Sequence, residues 1–469
     1  MDTKWVPNLS LHDGPKYRAL AAAIRDGIGH GALPAGMKMP PVRELAWRLR
    51  ITPGTVARAY GLLTDGGVLT ATVGRGTFVA ELPGPAAEPV PLAIDPLPHG
   101  TGGLSDEANY ISPALPNMGQ ASLIRQLMAE IAEDPPSGLM HYPSRESFRP
   151  AREAVLHWLK GTPLGVVSQD DLVLSHGGQN GVCLALQSVL TGQRPVILVE
   201  QLSYPGFRRA GQLLRADVVP VPMDEQGIVP EALDRLAIKH GASVLCTSPE
   251  VHNPTCLFTP EARRHEIAEV ARRRGLQVVE DDCYRMGVSR APSYRALLPR
   301  QGWYVSSISK TLTPALRIGF VIAPEGRAAD LRRAAEHGFF GLATPLADLA
   351  TRLLTHPEVD RLTLAVTAQI GTYVETLVNH LGGFDLSWRR DVPFVWLRLP
   401  EGWRATAFCQ AAAEMGVRIR SAEDFADRHS RPPHAVRIAI NAQLPLEKFD
   451  ASMTQLRMLL DNPPERIDV

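Results

Sequence analysis

With 469 residues, 45% of them hydrophobic and 21% charged, the chain has a soluble globular composition and is too long for one ordinary core; roughly 100–200 residues per domain predicts two to four units. Met1–Pro7 lacks an apolar leader core and no stretch offers about 18 uninterrupted apolar residues, so no secretion signal or membrane span is expected and the protein reads as cytoplasmic. The formal net charge is zero, yet residues 10–80 hold nine Lys/Arg against four Asp/Glu, a local +5 that makes this segment the expected meeting point for a polyanion. Five cysteines, Cys183, Cys246, Cys256, Cys283 and Cys409, form no C-x-x-C pair. Free thiols and no metal are expected.

Within residues 10–80, Tyr17, Leu20, Ile24 and Ile28 recur at helical spacing, and Gly29, Gly31 and Pro34 end that helix. Val42, Leu45, Ala46 and Leu49 form the inner face of a second helix. After a turn at Arg50-Ile51, Thr52 is placed to cap a third, which has Pro53 in its first turn and Val56, Ala59, Tyr60 and Leu63 as its buried stripe. Helix, short turn, helix is a helix-turn-helix. Val68–Val73 and Thr77–Val79 then read as two strands joined by Gly74-Arg75-Gly76, a wing with an arginine at its tip. Arg43, Thr55, Arg58 and Arg75 point outward as candidate contacts to a DNA duplex, with the third helix entering the major groove. Leu33-Pro34-Ala35-Gly36, Pro40–Ala46, Thr55–Tyr60 and Gly74–Val79 together resemble the GntR family of bacterial regulators. Pro53 departs from the polar or basic residue many relatives carry there.

Residues 81–108 are rich in proline and glycine without periodicity and read as a linker. From 109 to 469, short apolar strands alternate with amphipathic helices: Asp171–Leu174, Pro195–Val199, Ala242–Cys246 and Leu276–Val279. Such alternation predicts an α/β body with a mostly parallel sheet and ligand groups at strand C-termini. Ser175-His176-Gly177-Gly178-Gln179 follows the first of these strands and opens a helix, so Gly177, Gly178 and Gln179 offer free N–H groups to a phosphate. Later, Trp303–Val305 delivers Ser307, Ser309 and Lys310 to a strand end, and Arg317 precedes the apolar run Ile318–Ile322. Hydroxyls and a guanidinium beside an amine suit an anionic group held near a Schiff base.

Ser-x-x-Lys, followed seven residues later by Arg-Ile-Gly, resembles the lysine loop of fold-type I pyridoxal phosphate (PLP) aminotransferases, and the likeness extends over roughly 360 residues. It implies a smaller C-terminal α+β subdomain and a cofactor, pyridoxal 5'-phosphate, bound to Lys310 as an aldimine, with Ser307 and Arg317 on its phosphate. By the same resemblance Tyr204 stacks on the cofactor ring, Asn253 and Tyr284 contact its phenolic oxygen, and Asp281 pairs with the ring nitrogen, Asp282 being the alternative. Cys256 stands where the family has glycine, as does Ser147. Tyr142 resembles the tyrosine lent across a homodimer to the neighbour's phosphate, and Arg437 the arginine that grips a substrate carboxylate.

A GntR-like winged helix ahead of an aminotransferase-like body is the layout of MocR regulators. That resemblance implies a homodimer that binds double-stranded operator DNA and senses an amino acid or amine through aldimine chemistry at Lys310. Two alternatives stand beside it: a working aminotransferase that carries a DNA-binding module, and a direct sensor of PLP.

Overall fold

The computed structural model describes residues 5, 7, 9, 14–65, 67–72, 76–80, 108–135, 139–427 and 430–463, and the chain divides into two compact units, residues 1–104 and 105–469. In the first, α1 (Lys16–Gly29), α2 (Val42–Leu49) and α3 (Pro53–Asp65) precede an antiparallel pair, β1 (Leu69–Thr72) and β2 (Gly76–Val79). The apolar stripes meet as expected: Leu20, Ile24, Leu45, Val56, Leu63, Leu69 and Val79 are all buried in one cluster. Helix α2 stops at Arg50, whose left-handed φ of 51° turns the chain. Thr52 Oγ1 accepts from the Thr55 backbone N–H at 3.3 Å, beside the 3.0 Å bond that the same N–H makes to the Thr52 carbonyl at the start of α3. Arg75, the expected wing tip, lies outside the described residues, as does most of the segment read as a linker.

The second unit is built on a seven-stranded sheet: β3 (Leu172–His176), β4 (Val196–Glu200), β5 (Asp217–Val221), β6 (Val244–Thr247), β7 (Gln277–Asp281), β8 (Gly302–Ser307) and β9 (Ile318–Ile322), in the order β3-β9-β8-β7-β6-β4-β5. Strands β5, β4, β6, β7 and β8 pair in parallel. Strand β9 runs antiparallel to both β8 and β3. The inner parallel strands carry apolar runs that turn polar at their C-terminal ends, as a sheet covered on both faces requires of its middle; β6, β8 and β9 are buried at every position. Because the strands run one way, the residues at the C-terminal ends of β3, β4, β6, β7 and β8 share one edge of the sheet.

A 24-residue helix, Glu358–Leu381, leads to a smaller antiparallel sheet. It comprises β10 (Leu386–Ser387), β11 (Phe394–Arg398), β12 (Arg420–Ser421) and β13 (Ala435–Ala439), in the order β10-β11-β13-β12. Ala108–Asn109 pairs in parallel with Val417–Arg418, tying the start of this unit to its C-terminal part. Arg208 joins the large sheet's side to the small one, donating to the carbonyls of Phe425 (2.7 Å) and Asp424 (2.8 Å).

Candidate cofactor site and nucleic-acid interface

The cup begins where β3 passes into the helix α4 (Gly177–Val189). Gly177 has a φ of +77°, and a Cβ there would lie 2.7 Å from Arg317 Nη2. Arg317 itself holds a left-handed φ of 51°, a conformation that costs a non-glycine residue about 1 kcal/mol or more. A Cβ on Gly178 would meet Cys283 Sγ at 2.3 Å and Ser307 Oγ at 3.9 Å. Gly177, Gly178, Ser307, Arg317 and Cys283 therefore converge on the first turn of α4, where free N–H groups and the helix dipole favour an anion. Gln179 extends the cup by donating from Nε2 to the Gly206 carbonyl at 3.0 Å, which fixes the turn carrying Tyr204.

Lys310 ends the short turn Ile308–Lys310 beyond β8, and its Nζ lies 5.3 Å from the centre of the Tyr284 ring. Tyr284 meets Phe394 edge-on at 5.0 Å, and Arg437 Cζ lies 5.4 Å from the Phe394 ring and 4.9 Å from that of Phe425. Arg437, 2% exposed on β13, donates from Nη1 to Asn253 Oδ1 at 2.7 Å and from Nη2 to the Ile111 carbonyl at 2.5 Å. Lysine, tyrosine, arginine and asparagine thus form one connected row, although 184 residues separate Asn253 from Arg437.

The two neighbouring aspartates have different surroundings. Asp282 is buried and takes hydrogen bonds from the Tyr304 hydroxyl and from Arg285 Nε (2.6 Å). Asp281 accepts the Cys283 backbone N–H at 3.0 Å, and burial pushes its carboxyl up, an effect that hydrogen bonds from the Cys283 side chain and backbone oppose. Burial, then the charges of Asp281 and Tyr284, raise the Tyr204 phenol as well, which puts that ring in the same electrostatic neighbourhood.

The Asn253 loop is held from beneath. His252 Nε2 faces the Leu202 carbonyl at 2.9 Å and Nδ1 faces Thr255 Oγ1 at 2.6 Å; burial lowers the ring to about 4, so it is neutral, donating from Nε2 and accepting at Nδ1. Cys256 adopts a φ of +62° where a glycine would be unstrained, and its thiol donates to the Phe394 carbonyl at 3.2 Å.

Ser309 supplies a test of whether these residues fit a phosphorylated ring aldehyde. Its Oγ is buried beside Lys310 and has no hydrogen-bond partner among the described residues. An orphaned hydroxyl, a glycine-lined helix start and an amine together match such a group.

Residues 115–456 match the family described as aminotransferase class I and II. The chain belongs to that family. Residues 16–79 match the bacterial regulatory proteins of the gntR family. Among curated relatives, the HTH-type transcriptional regulator YdeF of Bacillus subtilis is 28% identical over 471 residues, covering 98% of this chain and 97% of the relative. The vitamin B6 salvage pathway transcriptional repressor PtsJ of Salmonella typhimurium is 28% identical over 445 residues, covering 92% and 95%. Among solved structures, the alpha-aminoadipate aminotransferase LysN of Thermus thermophilus covers 76% of this chain and 93% of its own, at 23% identity and a TM-score of 0.66. The cofactor of this aminotransferase-family chain is pyridoxal 5'-phosphate, and Gly177, Gly178, Ser307, Arg317 and Lys310 are residues that could hold it.

Tyr142 is not brought to this aminotransferase cup by its own chain: it is 87% exposed and packs on Phe340 with ring centres 5.9 Å apart. On the gntR-matching segment, Arg43 is exposed on α2. Thr55 Oγ1 sits 2.9 Å from Thr52 Oγ1 at the start of α3, and the exposed Arg58 lies over the Tyr17 ring.

Sequence reasoning passed over Glu200, the acid that closes the apolar run Val196–Glu200. It is buried, accepting from Thr247 Oγ1 (2.5 Å) and Ser248 N (2.9 Å), while Oε2 has no partner among the described residues. Burial pushes its carboxyl up to about 7. A raised carboxyl contributes stability that is fully present below the ordinary carboxylate range and is lost as pH rises through about 7. Glu200→Gln is therefore expected to flatten the unfolding free energy between pH 5 and 7, where the wild type loses up to ~1.4 kcal/mol per pH unit from this group. Urea melts across that range check it; parallel curves for the two proteins would refute it.

Proposed function

We propose that this chain is a PLP-dependent transcriptional regulator whose affinity for operator DNA responds to an amino acid or amine bound at Lys310. The observation that carries the proposal is the joining in one chain of a winged helix with an exposed basic face to a family site in which Lys310 lies over the Tyr284 ring, Arg437 bonds Asn253, and Tyr284 and Arg437 both meet Phe394. When bound, the cofactor supplies a carbonyl carbon for an amine and a ring that withdraws electrons. Asp281 is suited to hold a proton on the ring nitrogen, since Asp282 is already engaged by Tyr304 and Arg285. Tyr204 and Gln179 would orient the ring, and Lys310 would hold the cofactor's carbonyl carbon and exchange protons there. Arg437 offers a planar pair of donors to a carboxylate. A buried arginine already turned toward the site by Asn253 loses little freedom on binding its ligand.

Assembly as a homodimer belongs to the same reading. Met140 (92%), Tyr142 (87%) and Phe340 (70%) are large, apolar and exposed together, a surface suited to a second copy whose cup would receive Tyr142. Regulation follows only if the effector binds two states of the protein unequally.

Two relatives favour a second reading, in which arrival of the cofactor is itself the signal: one is named a vitamin B6 salvage pathway repressor and another a pyridoxine biosynthesis regulator. Comparing DNA affinity with and without PLP, and then with amines added, separates the two. A third, catalytic reading is tested with a keto-acid acceptor. The regulator is expected to stop after one half-reaction, whereas sustained turnover would establish a working transaminase. Arg437→Ala is expected to weaken a carboxylate-bearing effector by about 10- to 100-fold and to leave amines without a carboxylate unaffected. Titration of the visible absorbance band with both ligand types reads this out, and equal effects on both would contradict the assignment.

A further inference from the structure

Arg58 is exposed on α3, yet its guanidinium is not left to wander. Its Cζ lies 4.2 Å from the centre of the Tyr17 ring, well inside the range of about 6 Å over which a cation is attracted to an aromatic face. Tyr17 belongs to the first turn of α1, is half-buried, and packs against the winged-helix core through the ring body. Its hydroxyl accepts from Arg18 Nε at 3.2 Å. One ring thus holds two guanidiniums, Arg58 on its face and Arg18 at its hydroxyl edge, and the exposed Lys16 precedes Tyr17 in the chain. Arg58 follows Thr55 by three positions, so both lie on one face of α3 within one turn.

We infer that Tyr17 is a positioning residue for DNA recognition, fixing Arg58 in the orientation in which it meets the duplex. The inference rests on the reading of α3 as the recognition helix and of Arg58 as a DNA contact. An unsupported arginine must surrender its rotamer freedom on binding, whereas a stacked one has already done so. The ring face supplies the hold, so phenylalanine should serve and a non-aromatic residue of similar bulk should not. Arg18, bonded to the hydroxyl and with its Cζ 5.9 Å from the ring centre, at the limit of that attraction, contributes charge to the phosphate backbone but not the orientation of Arg58.

The test uses the full-length protein and a labelled duplex recovered by that protein from a random-sequence pool, with affinity measured by fluorescence anisotropy at fixed salt. Tyr17→Leu retains bulk and is expected to weaken binding roughly 3- to 10-fold. Tyr17→Phe is expected to stay within about twofold of the parent by the same reasoning. In an Arg58→Ala background, Tyr17→Leu is expected to add nothing, because a pair acting through one contact is non-additive. Circular dichroism melts of each variant separate loss of contact from loss of fold. If Arg58→Ala binds as the parent does, the recognition-helix reading itself fails. If Arg58→Ala weakens binding while Tyr17→Leu is neutral, or equally harmful with and without Arg58, the positioning role fails and that reading survives. A Tyr17→Phe protein as weak as Tyr17→Leu would likewise overturn it.

Discussion

Lys310→Ala is expected to abolish the visible absorbance band of the cofactor-loaded protein and to let the cofactor wash out during gel filtration, with little change in the fold. The other groups of the cup, the start of α4, Ser307 and Arg317, offer only non-covalent contacts. Lys310 is half-buried in a three-residue turn, and its amine is not committed to a carboxylate in any described ion pair. Substitutions of that kind usually shift stability by less than about 0.5 kcal/mol. Retained phosphate contacts should still admit the cofactor at high concentration, but reversibly and without the band. A variant that keeps the band after gel filtration would show that another amine holds the cofactor.

Arg264→Met is expected to be the most destabilising single change in the second unit, by about 3–5 kcal/mol. Arg264 is fully buried between two acids: its Nη2 reaches Glu250 Oε2 at 2.8 Å, and its Nη1 lies 4.0 Å from Glu280 Oε1. It also donates from Nε to the Thr259 carbonyl at 2.9 Å. Glu280 takes the Tyr294 N–H at 2.6 Å, and Glu250 takes that of Arg290 at 3.1 Å. Burial pushes Glu280 up to about 8, with Arg264 opposing the shift, so removing the guanidinium leaves two buried carboxyls facing one another. Replacing Glu250 and Glu280 by glutamine in the Arg264→Met protein should recover a large part of the loss, since the penalty lies in buried carboxyls left without their guanidinium partner and not in volume. Chemical denaturation of the single and triple variants decides this. A triple variant no more stable than the single one would place the loss in packing.

This network lies directly beneath the residues read as functional. Glu250 precedes His252 and Asn253 in one loop, and Glu280 precedes Asp281 on β7. Its effect on ligand binding therefore passes through placement of Asn253 and Asp281, a consequence of where the acids sit in the chain.

Much of the second unit was legible from its strands because each is a short apolar run ending in a polar cluster, and chain order then puts the clusters on one edge. Gly177–Gln179, Ser307 and Lys310 could be grouped on that basis; the structure sets Gly178 against Ser307 and places Lys310 in the turn that follows Ser307. The contact between Arg437 and Asn253 could not be read, because it joins β13 to the loop after β6 and no periodicity reports such a distance. Spacing pointed to Asp281 and kept Asp282 as the alternative. What distinguishes them is Tyr304, on the neighbouring strand, and Arg285, both directed to Asp282.

Cys283 is a different kind of omission. It lies between the two residues singled out in Asp281-Asp282-Cys283-Tyr284, and its sulfur occupies the space that Gly178 leaves by having no side chain. The reciprocal need for a small residue and a thiol is visible only once α4 is folded against β7 and β8. Cys256 was recognisable as a departure from glycine, and its left-handed backbone gives that departure a physical form. On the winged helix the buried stripes were plain from their spacing, whereas the stacking of Arg58 on Tyr17 depends on how α1 crosses α3.

The central claim is that chemistry at Lys310 governs DNA binding, and the most direct measurement is the affinity of the full-length protein for its selected duplex, at constant salt, with and without PLP and across a panel of amino acids and amines. The account predicts that one class of amine changes the affinity of the PLP-loaded wild type by about 5- to 150-fold, the usual span of coupling between two sites, and leaves Lys310→Ala unchanged. A wild-type affinity indifferent to every amine and to PLP, or a Lys310→Ala protein that responds as the wild type does, would contradict it.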